Sequence, residues 1–244
     1  MTSKAIMLDY IGTLVNPHNY SLEASRLNLH DALCKAGLKT DTHAFLEAYK
    51  KAHEKYRVIR YEKLKEVTNA VWVAEALTAA GCSATSDDAR LKTALDVFFQ
   101  DFIDSLELKH HALELVKTAR KRWKVGLISN FTYAPAIHAS LRKLGISEFF
   151  DAVVVSEEIG WRKPHRRIFE SALKKLRVDP AETVFVGDSP TEDIRGARAL
   201  GIRTVFVPSH FFSATELVES GEKPDFIVGD LEEICNRLPE VLRA

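Results

Sequence analysis

Apolar positions along the chain follow two different periods. Between about Ser21 and Leu106 they recur every three or four residues. Phe98, Phe99 and Phe102 form one stripe, and Trp72, Ala76 and the Ala79/Ala80 pair form another. That spacing predicts amphipathic helices that share a core. Gly37, Gly81 and the polar run Ser83–Ser86 punctuate the stretch, and no strand is predicted within it.

Elsewhere short continuous apolar runs alternate with helical stretches. Ala5–Leu8, Val125–Ser129, Ala152–Val155, Thr183–Val186, Thr204–Val207 and Phe226–Val228 read as strands. Helices are predicted over His110–Trp123, Pro135–Leu144, Pro164–Leu176 and Glu192–Leu200, after Ser213, and from Leu231 onward. Gly145 and Gly201 close two of them, and Pro164 is expected in a first turn. Strands made almost wholly of Val, Ile and Phe are buried on both faces. They predict an α/β fold with a doubly wound parallel sheet covered by helices. The helical block interrupts the series directly after the first strand. The expected organisation is a core of residues 1–15 and 109–244, with an all-helical cap of residues 16–108 inserted at the sheet's carboxyl edge.

With 244 residues the chain is long enough for such a core and insert. Hydrophobic residues make up 46% and charged ones 28%, which argues against disorder. Lys plus Arg equals Asp plus Glu at 34 each, so no net field favours nucleic acid or an anionic membrane as a partner. Cys34, Cys82 and Cys235 form no CxxC pair and read as reduced packing cysteines rather than a disulfide frame or zinc site. After Met1-Thr2-Ser3-Lys4 the apolar run Ala5–Leu8 breaks at Asp9, too short for a leader, and no segment is long enough to span a bilayer. A soluble cytoplasmic protein is expected.

Three predicted strands end in polar residues: Asp9, Ser129-Asn130 and Asp188-Ser189. A single acid at a strand end is more often a helix cap or turn residue than a catalyst. A parallel sheet, however, brings such ends to one edge. The segment Gly187-Asp188-Ser189-Pro190-Thr191-Glu192-Asp193 adds further carboxylates at a helix start. Clustered carboxylates require a cation, and hard oxygen ligands favour magnesium, which also binds substrate phosphate. Lys163, just before Pro164, supplies a positive charge suited to a phosphoryl oxygen, although alone it reads as a solvated surface lysine.

The run Asp9-Tyr10-Ile11-Gly12-Thr13-Leu14 resembles the first motif of the haloacid dehalogenase superfamily. Ser129 resembles its second motif, Lys163-Pro164 its third, and Gly187-Asp188 through Asp193 its fourth. The order matches, the likeness covers the whole core, and the helical insert stands where that family carries its α-helical cap. The resemblance implies a Rossmann-like core and a hydrolase whose nucleophile is Asp9, acting through a covalent aspartyl intermediate. It implies magnesium held by Asp9, Asp188 and the backbone carbonyl of Ile11, with Asp193 more remote. It further implies that Ser129 and amides near Gly12 and Asn130 cradle the phosphoryl group, with Lys163 bridging nucleophile and substrate.

One position departs from the pattern. Phosphatases of this family carry aspartate two residues after the nucleophile, as acid for the leaving alcohol and base for water; here the residue is Ile11. The dehalogenases also lack that acid, but typically have tyrosine there. The expected function is a magnesium-dependent phosphatase of a small phosphorylated metabolite, weakened by Ile11. The alternatives are a 2-haloacid dehalogenase and a non-catalytic phosphate-binding protein of the same fold. The oligomer is expected to be a monomer or homodimer. His53, Tyr56, Arg57 and Arg60 share one predicted helix face, either a solvated charged surface or a lid surface that meets the substrate.

Overall fold

The computed structural model describes residues 4–243; the first three residues of the reading against a leader lie outside the described residues. The chain forms two compact units. Among the described residues one comprises 4–16, 107–131 and 141–243, the other 17–106 and 132–140. In chain order the elements are β1 (Ala5–Leu8), β2 (Val15–Pro17), α1 (Leu22–Lys35), α2 (Thr42–Glu62), α3 (Asn69–Ala79), α4 (Ala89–Ser105), β3 (Leu106–Leu108), α5 (Ala112–Arg120) and β4 (Lys124–Ser129). They continue as α6 (Ala134–Lys143), β5 (Ala152–Val155), α7 (Ser156–Ile159), α8 (Arg166–Leu176), β6 (Thr183–Gly187), α9 (Arg195–Arg198), β7 (Arg203–Phe206), α10 (Ala214–Ser220), β8 (Phe226–Ile227) and α11 (Leu231–Arg243).

The first unit is built on a six-stranded sheet in the order β5-β4-β1-β6-β7-β8, with every neighbouring pair parallel. All four residues of β1 and all five of β6 are buried, so their unbroken apolar runs face helices on both sides. One layer of the core packs Met7, Ile128, Val154 and Phe185 against Ile168, Phe169 and Leu176 of α8. Strand order reverses on the two sides of β1. In an open α/β sheet that reversal leaves a crevice at the carboxyl ends of the strands, where ligands bind.

Two differences from the expected helices lie next to the residues that end the strands. Pro164 does not enter a helix: the Lys163-Pro164 peptide is cis, and α8 starts at Arg166 with His165 as N-cap, its Nδ1 accepting from Arg167 N. The stretch expected as one helix over Glu192–Leu200 is a π-type turn, Pro190–Ile194, followed by the single turn of α9. Ser189 caps that turn through Glu192 N.

The second unit consists of α1–α4 together with residues 132–140. Each helix opens on a residue that accepts from its own first turn: Ser21, Asp41, Thr68 and Asp88. Trp72, Phe45, Phe98 and Phe99 are buried, as the helical stripes predict. Residues 132–140 were expected in the α/β core. Tyr133 explains their membership here: its ring stacks on Phe99 at 4.8 Å and its hydroxyl donates to Asp96. The short strands β2 and β3 pair with one another where the chain passes from one unit to the other and back.

Candidate active site

Strand register decides which side chains meet. Leu8 at the end of β1 pairs with Leu127 of β4 and Val186 of β6. Asp9 and Asp188, which follow β1 and β6, and Ser129, the last residue of β4, therefore emerge at one edge of the sheet. Asp9 N donates to Val186 O at 2.9 Å, which extends the ladder one step and fixes the first carboxylate. Lys163 enters from the loop before α8. Its Nζ donates to Asp9 Oδ1 at 2.6 Å and to Ile128 O at 3.1 Å, and stands 2.7 Å from Asp193 Oδ1. Lys163 is 1% exposed and Asp193 equally so, which makes this an ion-pair cluster out of contact with bulk water.

Asp9, Asp188 and Asp193 each offer a carboxylate oxygen within 4.8 Å of the others. Asp9 Oδ2 is buried and has no hydrogen-bond partner among the described residues. Burial favours the neutral form of a carboxyl and the neutral form of an amine. For Asp188, burial and the neighbouring Asp9 charge raise the pKa to about 7, against the lowering effect of Ser209 and Lys163. Burial also raises Asp193 well above the carboxylate range, although Lys163 opposes it. Burial disfavours the Lys163 cation too, but Asp193 and Asp9 outweigh it and its pKa rises. Three carboxylates share one fully buried ammonium. The unmatched charge and the unpartnered oxygen of Asp9 fit a hard divalent cation.

The approach of these groups depends on two glycines. Gly12 has φ +94°, and a Cβ there would collide with the Asp188 carboxylate; a Cβ on Gly187 would collide with that of Asp193. Asp193 Oδ2 accepts from Ser189 N at 3.0 Å, which holds it under the turn. Asp188 Oδ2 accepts from Ser209 Oγ at 2.5 Å, and Ser209 Oγ in turn accepts from Phe211 N and Phe212 N. Lys109 Nζ donates to Gly12 O at 2.8 Å and Pro208 O at 3.3 Å, joining the turn after β1 to the loop after β7.

The sequence profile described as haloacid dehalogenase-like hydrolase matches residues 3–201. The chain belongs to the haloacid dehalogenase-like hydrolases. A glyceraldehyde 3-phosphate phosphatase of Methanopyrus kandleri is 29% identical over 241 residues, 98% of this chain and 99% of that protein. A protein of the same name from Methanothermobacter thermautotrophicus is 35% identical over 121 residues, which cover 49% of this chain and 53% of its own length. Among solved structures, a 2-haloacid dehalogenase from Pseudomonas syringae pv. Tomato DC3000 superposes with a TM-score of 0.65 at 22% identity, covering 98% of both chains. That likeness is one of fold.

In this hydrolase the residues singled out by motif order fall into two groups. Asp9, Lys163, Asp188 and Asp193 converge in one cluster, with Gly12 against Asp188. Ser129 is buried at the end of β4. The Asn130 side chain is bound to the Lys163 backbone and to Glu192. Ile11 lies half-buried in the turn after Asp9 and carries no ionisable group. Tyr10 is fully buried. Ser209 and Lys109 were not found from sequence, since a serine and a lysine at ordinary loop positions carry no local signal.

The charged face of α2 is more internally paired than either sequence reading supposed. Arg60 is buried and donates to Glu66 at 2.7 Å, Tyr56 donates to Glu75, and Arg57 to Glu54. His53 stacks on Tyr49 and meets the edge of Trp72. Among the described residues no helix is long and apolar enough to cross a membrane.

The raised carboxyl of Asp188 predicts a pH-dependent stability of the metal-free protein. A group whose folded pKa lies above its unfolded one stabilises fully at low pH and loses that contribution as pH rises through the folded value. In divalent-free buffer the unfolding temperature should therefore fall as pH climbs from the ordinary carboxylate range to about 7. Asp188→Asn should reduce that slope, with Asp193 leaving a remainder. Thermal unfolding at several pH values measures both; an equal slope in the two proteins contradicts the assignment.

Proposed function

We propose that this hydrolase is a magnesium-dependent phosphatase of small phosphorylated metabolites that works by nucleophilic attack of Asp9. The observation that carries the reading is the state of Asp9. One oxygen is held by Lys163, and the other is buried without a donor at the carboxyl edge of the sheet, beside two further carboxylates. An unpartnered carboxylate oxygen at a switch point is available to a cation or to an electrophile. The likeness to two phosphatases named for a small three-carbon phosphate supports the substrate class.

In this reading an Asp9 oxygen attacks phosphorus, the P–O bond to the alcohol breaks, and the electron pair leaves with the alkoxide. Water then attacks the aspartyl-phosphate, releasing inorganic phosphate and restoring the carboxylate. Lys163 neutralises charge on Asp9 and on the phosphoryl oxygens, while Ser129 and amides near Gly12 and Asn130 orient them. Magnesium, held by Asp9, Asp188 and the Ile11 carbonyl with Asp193 behind, would supply the remaining neutralisation of phosphoryl charge. The three-acid cluster is the feature that favours this chemistry over a metal-free dehalogenase. The direct test is phosphate release from a panel of phosphorylated metabolites, and halide release from 2-haloacids, with and without magnesium. Magnesium-dependent phosphate release is expected; halide release without metal would overturn the reading.

Ile11 leaves the reaction without the usual acid two positions after the nucleophile. An expelled alkoxide needs a proton in the transition state, whereas a nitrophenolate does not. Turnover should favour activated esters. Ile11→Asp should raise turnover of alkyl phosphates relative to aryl ones by up to about 10²-fold, the lower end of what general acid catalysis supplies. An unchanged alkyl-to-aryl ratio in a folded, magnesium-binding variant would mean that the proton comes from elsewhere.

The helical unit, inserted in sequence between β1 and the rest of the sheet, is proposed to serve as a cap that selects substrate and excludes water. Amide hydrogen exchange within residues 17–106 should slow on adding magnesium and beryllofluoride together. Unchanged exchange throughout that unit contradicts a cap role.

A further inference from the structure

Asn130 follows the buried Ser129 at the end of β4, and a side-chain amide has one acceptor oxygen and two donor hydrogens. All three are engaged with protein. Oδ1 accepts from Lys163 N at 2.7 Å, and Nδ2 donates to Lys163 O at 3.0 Å and to Glu192 Oε2 at 2.8 Å. Glu192 Oε1 is 3.3 Å from the guanidinium of Arg162, which is 97% buried by virtue of its 3% exposure. The amide therefore ties together three segments: the end of β4, the loop that carries Lys163, and the Pro190–Ile194 turn that carries Asp193.

Two hydrogen bonds to the N–H and C=O of one residue fix the orientation of its backbone as a strand partner does. Lys163 bears a flexible four-carbon stem, and its ammonium must hold a separation of 2.6 Å from Asp9 and 2.7 Å from Asp193. Where that stem starts decides where the charge arrives. We propose that Asn130 is a positioning residue, which holds the Lys163 backbone so that its ammonium stays on Asp9, with Glu192 and Arg162 holding the amide in turn. The catalytic consequence rests on the reading of Asp9 as nucleophile; the geometric one does not. With both hydrogens used, the Asn130 side chain has no donor left for substrate, so its backbone amide is what remains for the phosphoryl group.

Asn130→Ala removes both backbone anchors. Misplacement of a reacting group by about 1 Å costs on the order of 10²-fold in rate, so kcat should drop by about that factor. KM should stay near the wild-type value, because the side chain does not touch substrate. A crystal structure of the variant should show Lys163 Nζ moved beyond hydrogen-bond distance of Asp9 Oδ1. Asn130→Asp keeps the acceptor for Lys163 N but loses the donor to Lys163 O and sets a carboxylate against Glu192. Adding Glu192→Gln restores a donor across that contact, so the double variant should be faster than Asn130→Asp alone. This pair carries the test if Asn130→Ala does not fold.

Three results would overturn the proposal: wild-type kcat in Asn130→Ala, a raised KM with kcat unchanged, or a lowered kcat with Lys163 still on Asp9. A double variant no faster than Asn130→Asp would also count against it. If the wild-type protein hydrolyses no phosphate ester, the phosphatase reading fails, while the Lys163–Asp9 separation in the variant still decides the role of Asn130.

Discussion

The contact on which the rest of the site depends is the buried ion pair of Lys163 with Asp9 and Asp193. Charges removed from water are tolerated only with close partners and further hydrogen bonds, and a buried pair is costly to leave half-made. Here one ammonium serves two carboxylates while a third, Asp188, stands within the same cluster. That arrangement dictates what can surround it. Gly12 and Gly187 must lack side chains, Ser189 N and Ser209 must donate to the acids, and the Lys163 backbone must be held from behind by Asn130.

The same constraint links electrostatics to chemistry. Burial at the edge of the sheet, and after it the charge of neighbouring carboxylates, raises the pKa of Asp188 and Asp193. Cation binding and proton binding then compete for the same oxygens. A divalent cation on these oxygens would supply the positive charge that the protein alone lacks. On the proposed phosphatase reading, Ile11 bears on a separate requirement, the proton for the leaving group, so that binding of phosphate and efficient expulsion of an alcohol would be separable.

Much of the core was legible in sequence because the signals are local. Unbroken apolar runs marked β1, β4, β5, β6 and β7, and polar residues at three of their ends marked one edge. Features set by distant partners were not legible. Tyr133 draws residues 132–140 into the helical unit through Phe99 and Asp96, contacts across more than thirty residues of sequence. Pro164 reads as a helix start, yet His165 caps α8 instead. Ser209 and Lys109 gain their place only because the loop after β7 folds back on the turn after β1. Asn130 was read only through a backbone amide near the phosphoryl group, and the commitment of its side chain to Lys163 emerged only from the distances. On α2, helical spacing put His53, Tyr56, Arg57 and Arg60 on one face but could not reveal that Arg60 is buried against Glu66.

The central claim, that Asp9 becomes covalently phosphorylated, is tested most directly by trapping the intermediate. The protein is mixed with magnesium and an aryl phosphate, quenched in acid during turnover, digested, and read by peptide mass spectrometry. A slow second step, expected without a base at Ile11, favours accumulation of the intermediate. One phosphoryl group is expected on the peptide that contains Asp9, absent without magnesium and absent in Asp9→Asn. Steady phosphate release with no phosphoryl group on that peptide, or release that persists in Asp9→Asn, would contradict it.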